Sequence, residues 1–343
     1  MPIKLSFCIP TYNRCHFLKK NIDIIIRQIR ELSVENEVEI LVNDNASPDK
    51  TEDLCLEYIS NNPDIHIEYH KNASNEGPDW NFIKAMRLAH GEYSILFGDD
   101  DYLLDGALRR YFELMEKKDI SLFYSNRINV DAKGNVLGEQ IFLDIPQEYK
   151  IFDFTNEDST RSFFYGVRSL GGIMTFISSV MYKTEIIHKY PFNNAIIGSN
   201  YAFLYYWWSE LLSGKQLYFL NRALVQATTA GVTNNNYGKM VDRILVDYVG
   251  ITTIVNAVTK DEILKKYFYK VIDYDHPFIN LQDAYIKDKR KFETLLEPTL
   301  LSIGWESEDI KWIKYTASPR RILIILYYRY IKPFLSNPFD QKQ

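Results

Sequence analysis

Hydrophobic and polar positions alternate in blocks along the first 125 residues. Residues 4–9, KLSFCI, form a short apolar run closed by Pro10, the length of a buried strand. Behind it Phe17, Leu18, Ile22, Ile25, Ile26 and Ile29 recur at helical spacing and predict a helix of about 15 residues. VEILVND (38–44) reads as the next strand. Ser47 as N-cap and Pro48 at the first helical position mark a second helix. IHIEYH (65–70) is a third strand, and GPDWNFIKAMRLAH (77–90) a helix closing near Gly91. YSILF (93–97) is a fourth strand. DGALRRYFELMEKK (105–118) follows as a helix, and ISLFYSN (120–126) as a fifth strand. Strands alternating with helices predict an α/β domain whose mostly parallel sheet is covered on both faces.

After residue 126 the rhythm breaks. Lys133-Gly134-Asn135 marks a hairpin turn. Residues 200–214 read as a helix closed by Gly214, residues 215–229 as a strand pair, and residues 238–316 as mainly helical. The expected organisation is one domain over 1–235, its halves meeting near 126 and 127, then a helical extension over 236–343. Tyr205, Tyr206, Trp207 and Trp208 are consecutive, so at most two share a helix face. They suit core packing or a sugar-stacking platform.

Composition narrows the class. Of 343 residues, 46% are hydrophobic and 25% charged, which is globular. The net charge of −5 gives no support to nucleic-acid binding. Three cysteines match no zinc spacing and point to a reducing, cytoplasmic setting. His66 and His70 lie on one strand, roughly 13 Å apart, too far to chelate one metal. No stretch reads as a spanning helix or a leader.

The chemistry gathers where strands end. Asp99, Asp100 and Asp101 follow an apolar strand through Gly98. Three adjacent carboxylates repel, and burying one unpaired is costly. Either they form a solvated turn, with Asp105 capping the next helix, or they hold a divalent cation. PTYNR (10–14), NDNASPD (43–49) and GDDD (98–101) all fall at the carboxyl ends of predicted parallel strands, where open sheets bind ligands. PTYNR holds no glycine, which disfavours a dinucleotide fold, and no P-loop is present.

Together FCIPTYNR, LVNDNASPD, NEGPDWN and GEYSILFGDDD resemble, in order and spacing, the four motifs of the inverting glycosyltransferases of family 2, which have the GT-A fold. The likeness is strong over residues 3–126 and points to the abequosyltransferase-like branch of bacterial surface-polysaccharide synthesis. It implies a nucleotide-diphosphate-sugar donor, UDP- or dTDP-linked, and a glycan acceptor, probably lipid-linked. It also implies Mn²⁺ or Mg²⁺ held by Asp100 with Asp101 assisting, and Asp99 near the ribose. Asp44 matches the carboxylate that accepts from the base, although Asn43 replaces a frequent aspartate. Pro10, Thr11 and Tyr12 match the frame of the base. Arg14 would reach a phosphate, and Asn75, Gly77 and Asn81 would lie under the nucleotide. The family's acidic pair is expected near Gly198, Ser199 and Asn200, where no acid stands. Glu210 is the nearest, so the catalytic base is unassigned. A donor-binding protein without turnover and a nucleotidyltransferase are the alternatives.

Residues 318–335 add one further expectation. Arg320, Arg321, Arg329 and Lys332 give +4 with no acid between 319 and 333, leaving −9 on the rest of the chain. Leu323, Leu326, Tyr327, Tyr330 and Phe334 share one helical face. Such a segment suits an anionic membrane surface or a docked terminal helix; the membrane reading implies a peripheral enzyme on the inner face of the cell membrane.

Overall fold

The computed structural model describes residues 2–131, 133–228 and 240–317. They fall into two compact units, one of the described residues within 2–197 and 202–228, the other of residues 198–201 with 240–317.

The first unit is built on a ten-stranded sheet. Strands β1 (Leu5–Thr11) and β2 (Val38–Asp44) are buried at every position, as strands covered on both faces are, and the buried Ser6 hydroxyl donates to Glu39 across them. With β3 (His66–Lys71) and β4 (Tyr93–Leu96) they form a parallel core in the order β3-β2-β1-β4. The register pairs Leu5 with Val38 and with Tyr93. The helices between them are α1 (Cys15–Leu32), α2 (Thr51–Asn61) and α3 (Pro78–Arg87). On α1 the apolar stripe Leu18, Ile22, Ile25 and Ile29 is fully buried. The rest of the sheet is mixed. β9 (Val180–Lys183) runs antiparallel between β4 and β6 (Ile120–Val130), and β6 runs parallel to β10 (Gln216–Thr228). The hairpin predicted at Lys133–Asn135 joins β6 to β7 (Val136–Gln140), and β8 (Tyr149–Asp153) flanks β10.

Several boundaries differ from the sequence pattern, each for a local reason. The second helix starts at Thr51 rather than at Ser47 and Pro48, because the Ser47 hydroxyl donates to Asp44 and accepts from Asn13 N–H. Helix α3 ends at Arg87, before Gly91, whose backbone lies close against Ser6. Residues 216–228 are one strand, not a pair; register irregularities near 220–225 absorb the polar Asn221 and Arg222. Asp101–Leu103 forms a short strand, β5, antiparallel to β10, before α4 (Ala107–Met115) begins. Asp105 does not cap α4; Gly106 holds that position, and Asp105 pairs with Arg27 at 2.7 Å.

Two further helices, α5 (Glu157–Gly166) and α6 (Ile186–Lys189), precede α7 (Ala202–Leu212), where Tyr205, Tyr206, Trp207 and Trp208 are all buried. Trp208 stacks on Phe164 and meets Phe154 edge-on, so the aromatic run is core, not a sugar platform.

The second unit is helical, as expected for 238–316. Its described elements are α8 (Met240–Val258), α9 (Glu262–Asp275), α10 (Phe278–Lys287), α11 (Lys289–Lys291), α12 (Glu297–Ser302) and α13 (Ser307–Thr316). At its centre Asp247 is fully buried. It accepts from His276 Nε2 at 2.8 Å and from Tyr201, and pairs with Arg243 at 3.0 Å. Asp247, Asp275 and His276 offer ligand-type atoms within 4.8 Å. Asp247 is already neutralised and hydrogen-bonded, so the group reads as a polar clamp. Among the described residues, no helix is long and apolar enough to cross a membrane.

Candidate active site

The site assembles at the carboxyl ends of β1, β2 and β4. Each of these strands runs out into a polar loop, and the loops are tied by side chains.

The aspartate turn is the centre. Gly98 begins it, and only glycine fits: an added Cβ would lie 2.6 Å from Asp101 Oδ2. Asn21 on α1 donates to the carbonyls of Gly98 (2.9 Å) and Asp101 (2.6 Å), and Gln28 one helical face along donates to Leu104. The turn is therefore clamped to α1 by two buried amides. Ser178 donates to Asp101 Oδ2 at 2.5 Å and accepts from Gly98 N–H at 2.8 Å. None of Asn21, Gln28 or Ser178 belongs to a readable motif. Asn21 and Gln28 fall on the buried face of α1, and Ser178 is one of two adjacent serines.

The three carboxylates differ. Asp99 is buried and accepts from Thr11 Oγ1 at 2.7 Å; Arg14 Nη1 reaches Asp99 Oδ1 at 3.2 Å and Asp100 Oδ2 at 3.1 Å. Burial raises the Asp99 carboxyl to about 6, against the pull of Arg14. Asp101 is pushed well above the usual carboxylate range by burial and by the Asp100 charge. Burial works against the Arg14 charge, but Asp99 and Asp100 outweigh it and hold its pKa above the ordinary value. Asp100 is the least buried of the three. Its Oδ1 accepts no hydrogen bond among the described residues. Hard oxygen donors under mutual repulsion, one oxygen uncommitted, fit Mg²⁺ or Mn²⁺. Asp101 fits a direct ligand less well, because its carboxylate is turned to Ser178.

The nucleotide residues divide into scaffold and surface. Pro10 lies within β1 opposite Asn43, and Thr11 is buried under Asp99. Tyr12 is 44% exposed and offers its ring at the mouth. Asp44 is fully buried: Oδ1 accepts from Ser47 N–H at 2.9 Å, and Oδ2 from Tyr69 O–H at 2.7 Å. Tyr69's own pKa is raised by burial and by that bond. Here Asp44 organises its turn, and contact with a base requires it to accept a further bond. Asn81 is buried; its Oδ1 accepts from Asn43 at 2.6 Å and its Nδ2 donates to Thr11 O at 3.4 Å. An aspartate at 43 has no such donor, which accounts for Asn43. Asn75 accepts from Asn45 and from Gly77 N–H, both at 2.9 Å, and Gly77 turns at φ +84 to start α3. Asn75, Gly77 and Asn81 thus knit the loops under the site.

Glu210 is placed away from it. It accepts from Lys189 (2.6 Å), Tyr190 (2.8 Å) and Ser121 (3.2 Å). Ser121 stands at the beginning of β6, the opposite end of the sheet from the aspartates. Burial opposes its charge, but the Lys189 and Tyr190 bonds prevail and keep the carboxyl below its usual value. Glu210 is a structural ion pair, not the base. His66 and His70 both pair with Glu68, at 2.7 and 2.8 Å.

An α/β sheet of this topology with an aspartate turn at its strand ends has the GT-A architecture. The sequence model of glycosyl transferase family 2 matches residues 6–181, and the chain belongs to that family. It is therefore a glycosyltransferase, and nucleotidyl transfer falls away as a reading. Among curated relatives, the abequosyltransferase RfbV of Salmonella typhimurium is 28% identical over 80% of this chain and 81% of its own. The GalNAc(5)-diNAcBac-PP-undecaprenol beta-1,3-glucosyltransferase of Campylobacter jejuni is 26% identical over 79% and 82%. Among solved structures, S. aureus TarS 1-349 with UDP-GlcNAc superposes with a TM-score of 0.62 at 16% identity, over 95% of this chain and 87% of that one. The mannosyltransferase PcManGT of Pyrobaculum calidifontis, with GDP-Man and Mn²⁺, gives 0.55 at 13% identity over 96% and 89%. At these identities the structures speak to the fold.

Proposed function

We propose that this enzyme transfers a sugar from a uridine or thymidine diphosphate donor to a lipid-linked glycan acceptor in bacterial surface-polysaccharide assembly, at the inner face of the cell membrane. The observation that carries the reading is the convergence of Thr11 and Arg14 from the end of β1 with Asp99, Asp100 and Asp101 from the end of β4. The names of the Salmonella and Campylobacter relatives support the polysaccharide setting and the lipid-linked acceptor.

In this reading Tyr12 and Asp44 frame the base, and Asp99 takes the ribose hydroxyls. Asp100, assisted by Asp101, holds Mn²⁺ or Mg²⁺. When bound, the cation neutralises charge on the diphosphate as it leaves. Arg14 now lies between Asp99 and Asp100, and an incoming diphosphate competes for it as a stronger oxyanion partner. The loops that carry these groups are tied by Asn21, Asn45 and Asn81, so the site binds with little reorganisation. Incubating the protein with UDP- and dTDP-sugars, Mn²⁺ and a polyprenyl-diphosphate glycan tests the reading. Release of nucleoside diphosphate with a lengthened glycan is expected. Release only from GDP- or CMP-sugars, or extension only of glycans without lipid, contradicts the donor or the acceptor assignment.

A further inference from the structure

Arg127 is a half-buried cation that the proposed mechanism does not use. It lies on β6, where Val225 of β10 faces Arg127 on one side and Leu103 of β5 on the other, and Ala227 faces Asp101. Residues paired across strands share a face of the sheet. Arg127 and Asp101 therefore project to the same face, on opposite sides of β10. The guanidinium lies 4.2 Å from the Phe176 ring centroid and 5.7 Å from that of Phe142. Two residues beyond Phe176, Ser178 holds Asp101. One short segment thus positions the arginine plane and the last aspartate of the turn together.

The hydrogen-bonding state of Arg127 is unusual. Its Nε is buried with no partner, and among the described residues the guanidinium makes no hydrogen bond and no ion pair. Arginine carries five N–H donors in a fixed fork, and buried donors are normally satisfied. Burial disfavours the charge and nearby Asp101 favours it. Stacking on phenylalanine explains the anchoring but not the charge, since methionine or leucine would fill the same space without desolvating a cation. The other cation at the turn, Arg14, already spans Asp99 and Asp100, and Asp101 is held by Ser178. Beside Arg14 and the proposed cation, a second guanidinium would add positive charge for a diphosphate on the Asp101 side of the three carboxylates. A planar fork with open donors matches an oxyanion bidentately.

We propose that Arg127 binds a phosphate oxyanion of a substrate on the Asp101 side of the site, opposite Arg14. The proposal rests on the reading of the chain as a nucleotide-sugar transferase with a lipid-linked acceptor. Phosphate oxyanions reach such a site from two sources, the donor diphosphate and the lipid diphosphate of the acceptor.

The test titrates UDP, dTDP and farnesyl diphosphate, the last as a lipid-diphosphate probe, into full-length protein with Mn²⁺. Wild type, Arg127→Gln and Arg127→Lys are compared. A tenfold or larger loss of UDP or dTDP affinity in R127Q, partly restored in R127K, assigns the donor diphosphate. A like loss confined to farnesyl diphosphate assigns the acceptor. Affinities within twofold of wild type for all three probes, in a variant with unchanged melting temperature, overturn the proposal. R127K keeps the stem on Phe176 and serves as the folded control if R127Q is unstable; its loss of the fork should still weaken the same probe threefold or more, and no loss again overturns the proposal. Wild type that binds neither nucleotide instead refutes the donor reading itself.

Discussion

Asp99, Asp100 and Asp101 sit side by side yet do three different jobs. Asp99 is locked by Thr11 and Arg14, Asp101 is locked by Ser178, and Asp100 keeps an oxygen uncommitted. Asp100→Asn should therefore remove the Mn²⁺-dependent gain in nucleoside diphosphate affinity, at least the roughly 10- to 100-fold that loss of even an outer-shell partner of a metal ligand costs, while leaving the melting temperature unchanged. Calorimetric titration with Mn²⁺ and with chelator measures both arms; a variant that keeps the gain means that Asp100 is not the ligand. Gly98→Ala should act differently, because its Cβ would collide with Asp101. It should displace the turn and lower transfer activity more than stability, and a variant with full activity would show that the turn has slack. At this scale the sequence was readable where residues cluster into motifs, as in Pro10–Arg14 and Asp99–Asp101. It was silent on Asn21, Gln28, Ser178 and Arg127, because a polar residue outside any motif reads as a surface position until the fold shows what it faces.

Elements were legible in proportion to their periodicity. β2 was readable to its end residues, and the isoleucine stripe of α1 named its buried face. What failed were stretches where a tertiary partner overrides local preference: β5 exists only because β10 is there to pair with it, and Ser47 serves Asp44 rather than a helix start. In α7 the aromatic run is packing. Trp208→Ala should destabilise by about 3–5 kcal/mol, read as a large drop in denaturation midpoint, whereas Tyr12→Ala at the exposed mouth should weaken nucleotide binding with little change in stability. Equal stability of the two variants would mean that α7 is not part of the core.

In the helical unit, Asp273 supplies a pH signature. Burial raises its carboxyl to about 6, even though Tyr248 and Trp305 donate to it at 2.8 and 3.1 Å. Because the folded pKa exceeds the unfolded one, the fold binds this proton more tightly. The contribution is fully present below about pH 4 and is lost as pH rises through about 6, by roughly 3 kcal/mol at most. Asp273→Asn keeps an acceptor without the charge. The stability of wild type relative to this variant should fall between pH 4 and pH 7, as followed by denaturant unfolding. A difference that stays flat with pH would show that Asp273 titrates normally.

At the scale of the whole molecule, the acidic body and the basic segment 318–335 have opposite signs, and the segment lies outside the described residues. Its sequence predicts binding to anionic vesicles, with each Arg or Lys worth about 1 kcal/mol at low salt. Removing residues 318–343 should release the protein from such vesicles and impair lipid-linked acceptors, yet spare donor binding, since the proposed donor residues, Arg127 included, all precede residue 128. Truncation that unfolds the protein would instead mark the segment as a docked helix. The central claim is that the aspartate turn and Arg14 hold a metal-assisted nucleotide-sugar at the strand ends. Its most direct measurement is the rate of nucleoside diphosphate release from UDP- or dTDP-sugars with Mn²⁺, comparing wild type with Asp100→Asn. The account predicts release by wild type and a loss of 100-fold or more in the variant, restored by no added metal; equal rates in the two proteins would contradict it.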